Sequence, residues 1–187
     1  MFGRKKEDVF LALLTRMAHN LERSGALLSA LAGGGERTPA VWQELRTVQR
    51  EGHRRLMEAL ARNLFPSLDG QDLFRLSLGL GRLLHEVMGA ADGLESSARP
   101  LGPDLVQLVA RVEESLRETS RAVECLARRE RSRVAAATRR LYRLQDRGSR
   151  GTGATSGAKE VYSALAGIIF SCTEMVQTIH WVMVHNA

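Results

Sequence analysis

An all-α fold of five or six long antiparallel helices is predicted by three observations on this 187-residue chain. Apolar residues recur every three or four positions through almost its whole length, the spacing of one face of a helix. No stretch alternates apolar and polar residues convincingly, so no strand is expected. Four breaker clusters, at residues 33–35, 65–70, 99–103 and 148–157, cut the periodic pattern into segments.

The first segment predicts a helix over residues 5–31, with Phe10, Leu13, Leu14, Met17, Leu21, Leu28 and Leu31 facing inward. A second helix opens at Thr38, a good N-cap, with Pro39 at its first helical position. Its stripe reads Val41, Leu45, Val48, Leu56, Leu60 and Leu64. Asp69 or Gln71 starts a third, with Leu73, Leu76, Leu80, Leu83, Leu84 and Val87 as its inner face. Residues 104–147 contain no glycine or proline and are long for one globular helix. Either one continuous helix runs through them, or a turn interrupts them. Glu118-Thr119-Ser120 is the expected turn, because Ser and Thr compete with the helical backbone and cap a new helix well. The Gly/Ser/Thr-rich residues 148–157 read as a flexible link. The last helix carries Val161, Leu165, Ile168, Ile169, Cys172, Met175, Val176, Ile179, Val182 and Met183 along one stripe. The expected division is one domain over residues 1–187, with a three-helix half at 1–98 and a second half at 99–187.

The segment from Val161 to Val184 is long enough to cross a bilayer, but Ser171, Thr173, Glu174, Gln177 and His180 interrupt it. A carboxylate near the bilayer centre costs about 3 kcal/mol on insertion scales, so a core helix is the expectation. The first eight residues are charged and no apolar signal region follows them. A cytoplasmic location, peripheral to the inner face of the membrane at most, and no stable membrane insertion are expected.

The net charge of +6 is not spread evenly. Residues 1–120 hold 16 basic and 16 acidic side chains, whereas residues 121–150 hold 10 basic against 3 acidic. Arg121, Arg128, Arg129, Arg133, Arg139, Arg140, Arg143 and Arg147 project mostly to one side of a helix, opposite Val123, Leu126, Val134, Ala137, Leu141 and Leu144. Such a face is either merely solvated or a docking surface for acidic lipid or protein. Nucleic acid is disfavoured, because only Tyr142 is at hand for stacking on bases.

Reactive chemistry is hard to find. Residues 151–159 contain glycines and a lysine, but neither the spacing nor the preceding strand of a phosphate-binding loop. The histidines at 19, 53, 85, 180 and 185 never pair at i, i+3 or i+4, so no zinc site is predicted. Cys125 and Cys172 read as buried or half-buried thiols. With no Ser/His/Asp or Cys/His arrangement, neither an enzyme nor a cofactor is expected.

With the helices placed, the chain resembles the PhoU-like family of phosphate transport regulators, the accessory proteins associated with PiT-type phosphate transporters. The resemblance rests on the opening MFGRKKEDVF, on Arg50-Glu-Gly-His53, on Leu68-Asp-Gly-Gln-Asp-Leu73, and on Lys159-Glu160-Val161-Tyr162, Cys172 and Val184-His185-Asn186-Ala187. It implies two packed three-helix bundles and a regulator that binds the cytoplasmic face of a membrane phosphate transporter; the alternatives are a basic helical protein that binds nucleic acid and a metal-free helical scaffold that serves in homo-oligomerisation. Relatives in the wider group carry Glu/Asp-x-x-x-Asp pairs whose carboxylates converge on metal. Here those positions fall on Gln49 and His53, Gly81 and His85, Ala127 and Arg131, and Ala166 and Phe170. The metal site is therefore expected to be lost, His53 and His85 being the only remnant suited to a softer divalent ion. Arg128, Arg129, Arg133, Arg139, Arg140, Arg143 and Arg147 are the expected partner-binding residues.

Overall fold

The computed structural model describes residues 9–62, 68–97, 101–148 and 156–186. Among them six helices and no strand are found: α1 (Val9–Ala32), α2 (Pro39–Ala61), α3 (Gly70–Ser96), α4 (Pro103–Arg128), α5 (Arg131–Gly148) and α6 (Ser156–His185). The all-α bundle is as expected. The predicted start of the first helix at residues 5–8, Leu64, and most of the link at 148–157 lie outside the described residues.

Each half repeats the same plan. α2 packs only on α1 and α3, and α5 only on α4 and α6. The halves meet where α1 lies on α4 and α3 on α6, so these four helices close a central bundle with α2 and α5 on its outside. One hydrophobic cluster runs through all six helices. The last helix contributes its whole predicted stripe, from Val161 to Met183, every member buried.

The α1–α4 seam is the most extensive helix–helix contact in the fold. Both helices bury small residues, Ala18, Ser24 and Gly25 on α1 and Ser115, Thr119 and Ala122 on α4, and Gly25 lies directly against α4. Their hydroxyls stay inside their own helices, Ser24 donating to the Leu21 carbonyl at 2.6 Å and Thr119 to that of Ser115 at 2.9 Å. The polar atoms are thus satisfied without needing room between the helices. A Cβ on Gly25 would stand 3.0 Å from Leu116 Cδ1 and 3.3 Å from the Glu113 Cα. Contacts of His19 with Glu124 and of Ser29 with Glu113 set the two helices antiparallel.

Several expectations need correction. The Glu118-Thr119-Ser120 segment is not a turn but the buried middle of α4. Thr119 satisfies its hydroxyl on the preceding helical turn, which removes the competition with the backbone that would open a cap. The chain breaks instead at Arg129, whose left-handed backbone (φ 59°) lets Glu130 N–H donate to the Cys125 carbonyl at 2.8 Å. Nor is residue 104–147 one continuous helix. In α2, the inner face is Trp42, Leu45, Gln49, Gly52, Leu56 and Ala59, while Val41, Val48 and Leu60 are only half-buried. In α1, Leu13 is likewise half-buried. Thr38 occupies the N-cap before Pro39 but makes no side-chain cap bond, whereas Asp69 accepts the Gln71 N–H at 2.7 Å.

Cys172 is wholly enclosed beside the seam, and burial pushes its thiol up to about 12. Cys125 is half-buried at the α4–α5 turn.

Two glycines, one in the seam and one on the exposed side of α3, should respond in opposite directions. Gly25→Leu should lower unfolding free energy by about 1–3 kcal/mol, because part of what it meets is backbone that cannot swing away. Gly89→Ala, on an exposed face where a Cβ meets nothing within 4 Å, should raise it by about 0.5–1 kcal/mol. Urea denaturation of the two variants measures both signs.

Candidate functional site

The arginine-rich region is split by the break at Arg129, so the single face predicted for residues 121–147 does not exist. Its arginines divide into structural and free groups. Glu118 is 4% exposed, and its carboxylate accepts from Arg121 of its own helix at 2.7 Å and from Arg140 of α5 at 3.1 Å. That bridge ties α5 to α4. Arg133 is committed to Glu130 at 2.8 Å. Arg128, Arg129, Arg139 and Arg143 are exposed and make no ion pair among the described residues. Arg147 lies in α5, its side chain outside the described residues. The apolar side fares as expected, with Val123, Leu126, Val134, Ala137, Leu141 and Leu144 all buried.

Sequence reasoning missed what lies beside the free arginines. Between α5 and α6 runs a groove of about 460 Å³, lined among others by Arg139, Tyr142, His180, Trp181, Val184 and His185. Tyr142, Trp181 and Val184 are 45%, 46% and 51% exposed, a large apolar outlay for a surface. His185 stacks on Trp181 with ring centroids 4.1 Å apart, and Gln177 donates to the Tyr142 hydroxyl across the groove. Arg139 stands on the groove wall, and Arg143 follows one turn later on the same helix. The signal was present in the sequence as Trp181 and Val184, which fall off the apolar stripe of the last helix.

A second groove occupies the corresponding place in the first half, between α2 and α3. Gln49, His53, Gly81 and His85, the four positions of that half where the resemblance leads one to expect carboxylates, all line it. His53 Nδ1 lies 3.0 Å from Ser77 Oγ, whose own proton goes to the Phe74 carbonyl at 2.9 Å. In the second half the corresponding positions do not converge. Ala127 ends α4 while Arg131 starts α5, so they share no helical face, and Phe170 is 50% exposed. Among the described residues no group of three or more His, Cys, Asp or Glu is placed to hold a metal ion. No helix among them is long and apolar enough to cross a membrane.

Two stretches that carry the family resemblance meet, although more than a hundred residues separate them. The Asn186 side chain donates to Asp72 Oδ2 at 3.0 Å and accepts the Asp69 N–H at 3.3 Å. Asp72 is 4% exposed, so the end of the chain pins the start of α3. No protein-family model matches the chain, and a comparison with curated proteins finds no match.

The division of the arginines is testable. Arg140→Ala leaves the buried Glu118 with one partner fewer and should cost about 1–3 kcal/mol. Arg139→Ala, at an exposed side chain without an ion pair among the described residues, should stay within about 0.5 kcal/mol of the parent. Thermal melts of the pair give the comparison.

Proposed function

We propose that the chain is a PhoU-like accessory protein of inorganic phosphate transport that works by docking to a transporter at a cytoplasmic surface, not by chemistry. The observation that carries this reading is the repeated three-helix plan, in which α2 and α5 each close only on their own half. A pair of packed three-helix bundles is what the resemblance implies. The meeting of Leu68–Leu73 with Val184–Asn186 through Asn186 adds support, since it gives two otherwise weak sequence likenesses a shared structural role.

The docking surface in this reading is the α5–α6 groove with its free arginines. Trp181, Tyr142 and Val184 supply an apolar anchor, the kind of contact that dominates binding energy. Arg139 and Arg143 supply long-range attraction for an acidic loop and set orientation. Arg140 and Arg133 are withdrawn from the expected set, since both are held by carboxylates of the bundle.

Flotation with proteoliposomes carrying a PiT-type transporter tests the proposal. The chain should float with transporter vesicles, and Arg139→Glu combined with Arg143→Glu should weaken that association by about tenfold or more while leaving the melting temperature unchanged. Equal flotation with empty anionic vesicles would overturn transporter docking. Tight binding to unrelated DNA that falls steeply with salt would replace it with a nucleic-acid role.

A further inference from the structure

The α2–α3 groove is left unused by the docking reading, yet it is the larger of the two, at about 590 Å³. That lies within the range of small-molecule sites. On its α2 wall Arg46, Gln49, Arg50 and His53 follow at helical spacing, while Met17, Leu84 and Met88 give it an apolar side. No Asp or Glu lines it. Arg46 and Arg50 are exposed and form no ion pair among the described residues, whereas Arg82 is committed to Glu86 at 2.8 Å. The groove therefore has two free cations and no anion.

Gln49 supplies an independent sign of a ligand. It is 5% exposed. Asn20 Nδ2 donates to the Leu45 carbonyl at 2.8 Å and to Gln49 Oε1 at 3.2 Å, which fixes which end of each amide is nitrogen. Gln49 Nε2 is left buried without an acceptor. Such a donor costs about 1–3 kcal/mol, and a rotation of the Gln49 amide toward the groove it lines would let a ligand oxygen remove that cost.

The geometry points to a binding site for a small organic anion, its carboxylate or phosphate head held by Arg46, Arg50 and Gln49 Nε2 and its apolar body lying along Met17, Leu84 and Met88. Guanidinium forks suit such heads because they offer paired N–H donors to paired oxygens. The space is kept open by Gly81, where a Cβ would meet nothing within 4 Å. A longer side chain there would extend into the groove without disturbing the helix packing.

Octanoate and octyl phosphate are the probes, titrated into the full chain with the side-chain amide of Gln49 followed by NMR. One or both should saturate and move that signal, and the stronger of the two identifies the head. Neutral 1-octanol should bind at least about tenfold more weakly, as should either anion to the Arg46→Gln, Arg50→Gln double variant. Gly81→Leu should melt no lower than the parent and lose the site. The inference fails if neither anion moves the Gln49 signal, if 1-octanol binds as well as the anions, or if folded Gly81→Leu binds like the parent.

Discussion

Everything in this molecule is hung on the close approach of α1 to α4. Leucine-rich faces alone would hold six helices together in many registers, since apolar burial is strong but non-directional. The seam removes that freedom. Gly25 sits against Leu116 and the Glu113 backbone, and the serines and threonine around it keep their hydrogen bonds within their own helices. The polar pairs His19 with Glu124, Ser29 with Glu113 and Glu22 with Arg117 then fix how far one helix slides along the other. With α1 and α4 locked, α3 and α6 complete the central bundle, and α2 and α5 are confined to the outside.

That confinement creates the two grooves. Each lies between an outer helix and the third helix of its half, in corresponding places, and each carries uncommitted arginine on the outer helix: Arg46 and Arg50 on α2, Arg139 on α5. The similarity ends there. The α5–α6 groove presents solvent-exposed aromatic and aliphatic side chains, suited to burial under a protein segment. The α2–α3 groove places an unpartnered amide donor among basic side chains, suited to a small acceptor-bearing molecule. One repeated scaffold thus offers two different surfaces, and differences of a few side chains decide what each can hold.

Most of the fold was legible because helix stripes are local. The buried faces of α3 and α6 follow from apolar spacing alone. The errors have particular causes. The α4–α5 break was hidden because Arg129, not glycine, adopts the left-handed backbone there, and the bond from Glu130 N–H to the Cys125 carbonyl has no composition signal. The inner face of α2 was misread by a fraction of a turn because it includes Gln49 and Gly52, which an apolar count ignores. Trp42 is covered there by Arg37, whose guanidinium lies 5.4 Å above its ring. The sites were less legible still. Whether an arginine is free depends on which carboxylate the tertiary fold brings near it, as Glu118 does for Arg140 across 22 positions of sequence. The open space at Gly81 and the orphaned Nε2 of Gln49 are likewise properties of packing, not of spacing.

On the reading proposed above, the α2–α3 groove, where the resemblance would place carboxylate ligands, is a cationic surface for an anion and not a metal site. Metal stoichiometry tests it most directly. The untagged chain is incubated with iron, manganese, zinc and nickel in turn, desalted, and counted by plasma mass spectrometry. Less than about a tenth of an equivalent of each metal is predicted, because Gln49, His53, Gly81 and His85 cannot assemble a ligand set of ordinary number. About one equivalent or more, released by His53→Ala or His85→Ala, would contradict the account and make the groove a histidine-built metal site.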